Sequence, residues 1–551
     1  MADRDLNSSP VDATATPATA PTPAAPAELA RRLVAAIDIG SSALRLDIGE
    51  IGTQGSVRLL ESLRHGVRLG KDVFTKGRVE QDTMRRCVAI MKNYSRLLKE
   101  YGVTRPDQVR AVATSFAREA ANRDMFVDRI STATGIAVNV LEESEESRLT
   151  FLAVRELLAS GGLLDARNVV VLEIGGGQTI LLYIRNRLVT VAQVFRAGAL
   201  RTRELVTAAG ATGAQLKGVL KAYAMELVEQ IHQAIPAEKI SALVVMGAGA
   251  RFAVEQGGAV PLATEPRLAV VPATKLAEVA EQVAPLAVES LVRTHKMAFQ
   301  DAETVAPALM SLTQVARALK VKELHIARAT LRDGLLGEMA MREHLAVGYE
   351  EQVIYSAQTL AARYGMDAAH AQNVTVGALA LFDELQEEHQ LGSHARLLLR
   401  CAAILHDIGQ FVNARAHHKH SLYLIQNSEL FGLTRHDMQI VATVSRYHRK
   451  ALPSPAHPEF AMLSQDDRMT VAKLAAILRV ADALERTHRE APRPMEFRRE
   501  GERFVIVLRN MEDLTMERLA LKDKGNLFAD VFGMIPELRE VRTDVPGGVT
   551  G

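Results

Sequence analysis

The sequence predicts an α/β protein, with two similar subdomains facing each other across a cleft, then a helical region and a small α+β module. Three observations predict this. An apolar strand that runs into an acid and a small-residue turn occurs twice, as "AAIDIGSSALRL" (Ala35 to Leu46) and "VVLEIGGGQTIL" (Val170 to Leu181). From about residue 348 the pattern changes to amphipathic helices. At 551 residues the chain is too long for one core, so several domains are expected.

Composition narrows the class. With 48% hydrophobic and 24% charged residues the chain is an ordinary globular one. The formal net charge of +1 supplies no overall attraction to DNA, so any anion must be held by a local patch. The two cysteines, Cys87 and Cys401, exclude a disulfide scaffold and a four-cysteine zinc site, and they fit a reducing cytoplasm. No apolar run approaches the roughly 18 residues that span a bilayer, so no membrane partner is expected.

The elements follow in order. Residues 1–30 are rich in Ala, Pro and Thr and lack the apolar segment of a signal peptide, so they read as a disordered tail. Subdomain I is expected over 31–149 and subdomain II over 150–345. Each opens with a hairpin whose Gly/Ser turn lets main-chain N–H groups surround a phosphate. Asp38 and Glu173 stand at matching places before the two turns. Between the hairpins, "VRAVATSFAREA" reads as a strand, a loop and a helix starting near Ser115, with Arg118 in its first turns. A short strand then leads to the acidic run Glu142, Glu143, Glu145, Glu146 and a further helix. That run suits a helix N-terminus on dipole grounds alone. Helix N-termini also bind anions, and a forked arginine such as Arg118 adds to that.

These motifs resemble those of the exopolyphosphatase and guanosine pentaphosphate phosphatase (Ppx/GppA) family. That family lies within the actin/hexokinase-like (ASKHA, ribonuclease H-like) superfamily. "DIGSSA", "ATSFAREA", "EESEESRL", "EIGGGQTI", "RAGALRTRELV", "MGAGARFA" and "ATLRDGLL" carry the likeness, from about residue 34 to about 535. The resemblance implies that Glu146 activates water and that Arg118 grips phosphate. It implies substrate contacts from Asp38, Gly40, Ser41, Ser42, Arg45, Gly175, Gly176, Gly177, Gln178, Gly247 and Arg251. It also implies a Mg²⁺ (or Mn²⁺) ion held by Asp38 and Glu173, the latter counted as catalytic. Several positions depart from the family pattern. Glu173 stands for an Asp, Ile180 for a second metal-supporting Glu, Gln178 for a Ser, Ser42 for an Asn and Glu143 for a Gly.

The implied activity is an exopolyphosphatase that removes terminal phosphate from inorganic polyphosphate and also acts on guanosine pentaphosphate. The departures favour an alternative, a sensor that binds polyphosphate or guanosine penta- or tetraphosphate without turnover. Intact Glu146 and Arg118 oppose it.

The helical region, expected over 346–495, places His370 on one long helical pattern, with His406 and Asp407 in "LLLRCAAILHDIGQ" and Asp482 in "AAILRVADALERTH". His, His-Asp, Asp in this order resembles the HD superfamily, whose members hold a divalent metal with these four side chains. Three readings stay open. The set would hold a metal, with His418, His420 and His448 completing a two-metal site and a phosphohydrolase of its own. It would instead form a metal-free hydrogen-bond network. Or Arg415, Lys419, Arg446, Arg449 and Lys450 would form a basic track for a polyphosphate chain. The last module, 496–551, offers "RFVIVLR" as a strand and "DKGNLFADVFG" as a helix and turn, with no chemistry evident. The resemblance also implies a homodimer.

Overall fold

The computed structural model describes residues 32–52, 55–211, 214–341, 349–485, 494–509 and 514–541. The tail expected over 1–30 lies outside them. The first sheet is built from β1 (Arg32–Ile39), β2 (Ala43–Ile51), β3 (Val57–Gly66), β4 (Val109–Ala113) and β5 (Val138–Val140), in the order β3-β2-β1-β4-β5. The second comprises β6 (Asn168–Ile174), β7 (Thr179–Arg185), β8 (Leu188–Phe195), β9 (Ala242–Met246), β10 (Val260–Pro261), β11 (Leu268–Pro272) and β12 (Glu323–Ala327), ordered β10-β11-β12-β9-β6-β7-β8.

The repeat in the sequence is a repeat in topology. β1 pairs antiparallel with β2 and parallel with β4, and β6 pairs antiparallel with β7 and parallel with β9. Strands β1 and β6 are apolar on both faces because both faces are covered, as a central strand flanked by helices requires. Ala35, Ile37 and Ile39 enter one core, while Val34 and Ala36 enter another shared with the helix Leu331–Met341.

That helix and the helix Glu143–Ser160 lie between the sheets. Leu149 packs with Leu331 and Leu335 on the first sheet, and Phe151, Val154 and Leu157 pack on β6 and β7. Their close crossing needs Gly334, where an added Cβ would lie 2.2 Å from the Leu149 carbonyl oxygen. Arg148 on one helix is ion-paired with Glu338 on the other. The expected boundary between 149 and 150 thus falls inside a helix that serves both sheets.

The helical region consists chiefly of Tyr349–Arg363, Ala368–Glu384, Ser393–Leu405, His417–Gln426, Arg435–Arg446 and Gln465–Ala483. The long helix expected around His370 is in fact two. Gly365 takes φ +61°, and the Asp367 carboxylate caps a new helix by accepting from the Ala369 and His370 N–H groups. A third sheet, β13 (Met495–Glu500), β14 (Arg503–Arg509) and β15 (Ile535–Val541), is joined by the helices Thr515–Lys524 and Asn526–Phe532. Its Phe504, Ile506, Leu508 and Leu538 share one core with the helical region.

Two of the contacts that dock the helical region on the second subdomain come from Gln352 and Phe431. Gln352 accepts from the Val189 N–H at 2.7 Å and donates to the Val189 carbonyl at 3.1 Å, which satisfies one residue of the edge strand β8. Phe431 meets Phe151 edge-on at 5.7 Å. No helix of the described residues is long and apolar enough to cross a membrane.

Candidate active cleft and a histidine cluster

The two glycine hairpins touch. The first turn is closed by Gly40 N–H donating to the Ala43 carbonyl, and the second by Gly175 N–H donating to the Gln178 carbonyl. Between them, a Cβ on Gly176 would come 3.3 Å from the Ser41 side chain, and one on Gly177 would come 2.3 Å from Ser115 Oγ. Ser41 Oγ and Ser115 Oγ are 3.3 Å apart. Ser42 contributes its carbonyl, which accepts from the Val67 N–H. The carbonyls of Gly175 and Gly176 accept from the N–H groups of Ala199, Leu200 and Arg201, so the helix Ala199–Ala208 caps itself on the loop. Gly198 permits this approach, since a Cβ there would lie 2.2 Å from the Gln178 nitrogen. Gly247, at φ +103°, allows the third loop to lie against the Ile174 carbonyl. Its backbone supports the second loop.

Glu146 lies in the first turns of the helix Glu143–Ser160 and is buried. Arg118, from the helix Ser115–Glu119, donates to Glu146 Oε2 at 3.0 Å and to the Leu141 carbonyl at 2.6 Å. It also reaches across to the Gln178 side-chain oxygen on the facing loop. Burial pushes the Glu146 carboxyl up to about 7, with Arg118 opposing and Glu173 and Asp38 adding to it.

Glu173 is the last residue but one of β6, where strand alternation and its pairing with Ile180 turn it toward the same helix. There Thr150 Oγ1 donates to Glu173 Oε2 at 2.9 Å. Desolvation raises the Glu173 carboxyl, Thr150 lowers it and Asp38 raises it further. Asp38, the last residue but one of β1, is held by Arg45 at 2.8 Å and stands 3.8 Å from Arg332. Arg251 is exposed, and its charge is felt together with those of Arg45, Arg64 and Arg332. Ile180 is buried in the apolar core behind Glu173.

Arg332 and Thr150 went unread in the sequence, although each had a signal. Arg332 belongs to "ATLRDGLL", and it pairs with Asp47 at 2.7 Å. Thr150 follows Glu146 by one helical turn, which puts both on one face.

In the helical region His370, His406 and Asp407 come together, with ligand atoms all within 4.8 Å of one another, and Asp482 Oδ1 is 3.9 Å from His370 Nε2. Asp407 Oδ1 lies 2.9 Å from His417 Nε2 and 3.3 Å from His448 Nε2. His448 therefore joins the cluster as expected, but His418 and His420 do not. The residue that does is His417, the first of its helix, aimed inward by Ala416 at φ +61°. His418 is one helical step further round and titrates low, at about 4, through burial and the charges of Arg446, His448, His417 and Arg449.

The basic track is smaller than expected. Arg446 is buried and 3.3 Å from Glu459, so its charge is spent internally. Lys419 and Lys450 are exposed and Arg449 is half-buried. The module expected to lack chemistry contributes Lys524, whose ammonium is paired with Asp482. Burial would raise Asp482, but Lys524 with His406 and His448 outweighs it and holds the carboxyl low.

Comparison with known proteins gives consistent matches. A model described as the Ppx/GppA phosphatase family matches residues 49–343, and one described as Ppx/GppA phosphatase, domain III, matches 354–524. The guanosine-5'-triphosphate,3'-diphosphate pyrophosphatase of Photobacterium profundum is 28% identical over 482 residues, covering 84% of this chain and 88% of that protein. The protein of the same name from Vibrio atlanticus is 26% identical over 477 residues, covering 84% and 88%. Among solved structures, an exopolyphosphatase from Cytophaga hutchinsonii aligns with a TM-score of 0.50 at 20% identity, covering 56% of this chain and 98% of that one, a likeness of fold.

Proposed function

The chain belongs to the Ppx/GppA phosphatase family, and on that premise we propose that its cleft hydrolyses a terminal phosphoanhydride. The substrate is inorganic polyphosphate, with guanosine pentaphosphate as a second substrate carrying the same terminal group. The observation that carries this reading is the buried Glu146, poised near neutrality against Arg118 between two glycine hairpins. A carboxyl near 7 is half ionised at neutral pH, which suits a general base.

In the proposed reaction a water oxygen attacks the terminal phosphorus. Glu146 takes the water proton, the bridging P–O bond breaks, and the shortened chain leaves with the electron pair. Arg118 and the turns hold the phosphoryl oxygens, so positioning carries most of the catalysis. Asp38 and Glu173 raise the Glu146 carboxyl and Asp38 raises that of Glu173, so the acids face one cleft, and their hard oxygens fit Mg²⁺. Asp38 and Glu173 would hold the ion, which when bound neutralises charge on the phosphates.

The test is phosphate release from long-chain polyphosphate with Mg²⁺, run in parallel on guanosine pentaphosphate. We expect release by the native protein and a loss of roughly 10²–10⁴-fold in Glu146→Gln. Silence from both proteins on both substrates would overturn the reading.

A second reading, binding without turnover, is favoured by one observation. Ile180 is committed to the core, so the metal-supporting acid that the resemblance expects at that position is missing. It predicts polyphosphate binding that survives Glu146→Gln, with no phosphate released by either protein.

A further inference from the structure

One contact in the cleft opposes the proposed activity, and it is made by a residue where this chain departs from the family pattern. Arg118 Nη1 has both hydrogens committed, one to the Leu141 carbonyl at 2.6 Å and one to Glu146 Oε2 at 3.0 Å. With Nη1 spent, any two-pronged grip on a phosphate must use Nη2 together with Nε. The Gln178 side-chain oxygen, on the turn of the facing subdomain, accepts from Nη2. A neutral amide oxygen and a phosphoryl oxygen therefore compete for one arm of the same arginine.

The orientation of the amide follows from donor chemistry. A guanidinium only donates, so Gln178 must turn Oε1 to Arg118 and Nε2 away from it. Gln178 is only 6% exposed, and its Nε2 is buried without a hydrogen-bond partner among the described residues. A donor left in that state is costly. The clasp is thus made by one charge-assisted bond and weakened by one unpaired donor, so a stronger acceptor can displace it. The fold does not depend on it. Arg201 pairs with Glu119 across the same two subdomains and lies over the Phe74 ring at 4.1 Å. Arg64 of β3 forks to Asp301 of the helix Phe299–Ala318, both bonds at 2.5 Å.

We propose that Gln178 is an internal competitor for the terminal phosphoryl group: its amide oxygen holds Arg118 Nη2 until a phosphate displaces it, and so sets the affinity of the cleft. This rests on the reading of the cleft as a phosphate site. The serine of the family pattern ends two carbon atoms short of that amide oxygen, so from the same backbone it cannot hold Arg118. Gln178 is in this view a residue that tunes binding through Arg118, and the departure from serine is a change of affinity rather than the loss of a ligand contact.

The experiment uses the full chain with Mg²⁺ and a methylene-bridged analogue of tripolyphosphate, whose P–C–P links cannot be hydrolysed, and reads affinity by calorimetry. Gln178→Ala removes the clasp and adds no donor of its own, so it should bind the analogue about tenfold more tightly than the native protein. Gln178→Glu keeps the reach and turns the clasp into an ion pair, so it should bind at least about tenfold more weakly. A glutamine with a merely structural role would weaken binding in both variants. If the alanine variant misfolds, Gln178→Ser takes its place with the same expectation. An alanine or serine variant that binds no more tightly than the native protein, or a glutamate variant that binds no more weakly, would overturn the inference and leave the cleft a phosphate site. No binding by any of these proteins would overturn the phosphate reading and this inference with it. Affinities that split as expected in a protein that releases no phosphate would uphold the inference and overturn hydrolysis alone.

Discussion

Glu146 shows what burial does to one residue. Its carboxyl is ordinary at 4.5 in an unfolded chain and stands at about 7 in the folded one. The folded state thus keeps a proton that the unfolded state releases. The resulting stability is complete below about pH 4.5 and is lost as pH rises through about 7, a change of roughly 3 kcal/mol. In chelator, the melting temperature of the native protein should therefore fall more steeply than that of Glu146→Gln between about pH 5 and 8. Parallel curves would mean that burial does not set this carboxyl. Phosphate release should rise over the same range, because only the ionised form accepts a proton. Ile180→Glu tests the neighbouring departure. A carboxylate forced into that core should lower stability by about 2–4 kcal/mol in chelator, and Mg²⁺ should recover part of it if the site takes the ion. Arg118 and Glu146 were legible because each sits in a contiguous motif on a helix start. Arg332 was harder, since its partners Asp38 and Asp47 come from the other end of the α/β region.

Elements here meet through glycines, and two of them make measurable claims. Gly198 lets the helix Ala199–Ala208 cap itself on the carbonyls of the second turn. Gly198→Ala should displace that turn and lower kcat/KM for phosphate release by about 10–100-fold while the far-UV circular dichroism is unchanged. Gly334 sets the crossing of the two helices between the sheets. Gly334→Val should cost about 3 kcal/mol by overpacking, read as a lower denaturant midpoint. Both hairpins were foreseen at the element scale, because a strand period and a glycine turn are properties of a dozen adjacent residues. The break at Gly365 was not. The apolar period continues on both sides, and only the left-handed glycine with the Asp367 cap reveals the new helix.

Across the whole molecule, the helical region is fastened to the second subdomain by Gln352 on β8 and Phe431 on Phe151. Phe431→Ala should weaken that docking by about 1–3 kcal/mol and split the thermal unfolding into two transitions, seen by calorimetry. A single transition at the native temperature would show that this contact does not couple the regions. The shared core of β14 and the helices explains why the last module cannot be set apart, and why Lys524 can reach Asp482. What the sequence by itself determined was the duplicated strand, acid and turn, the helical second half and the identity of most chemical groups, because periodicity and turns are local. Tertiary structure alone decided that His417 rather than His418 faces Asp407, that Arg332 reaches Asp38, and that a lysine from the last module fills the place beside Asp482. These are meetings of residues far apart in the chain, and they depend on how helices rotate and cross when their apolar faces are buried together.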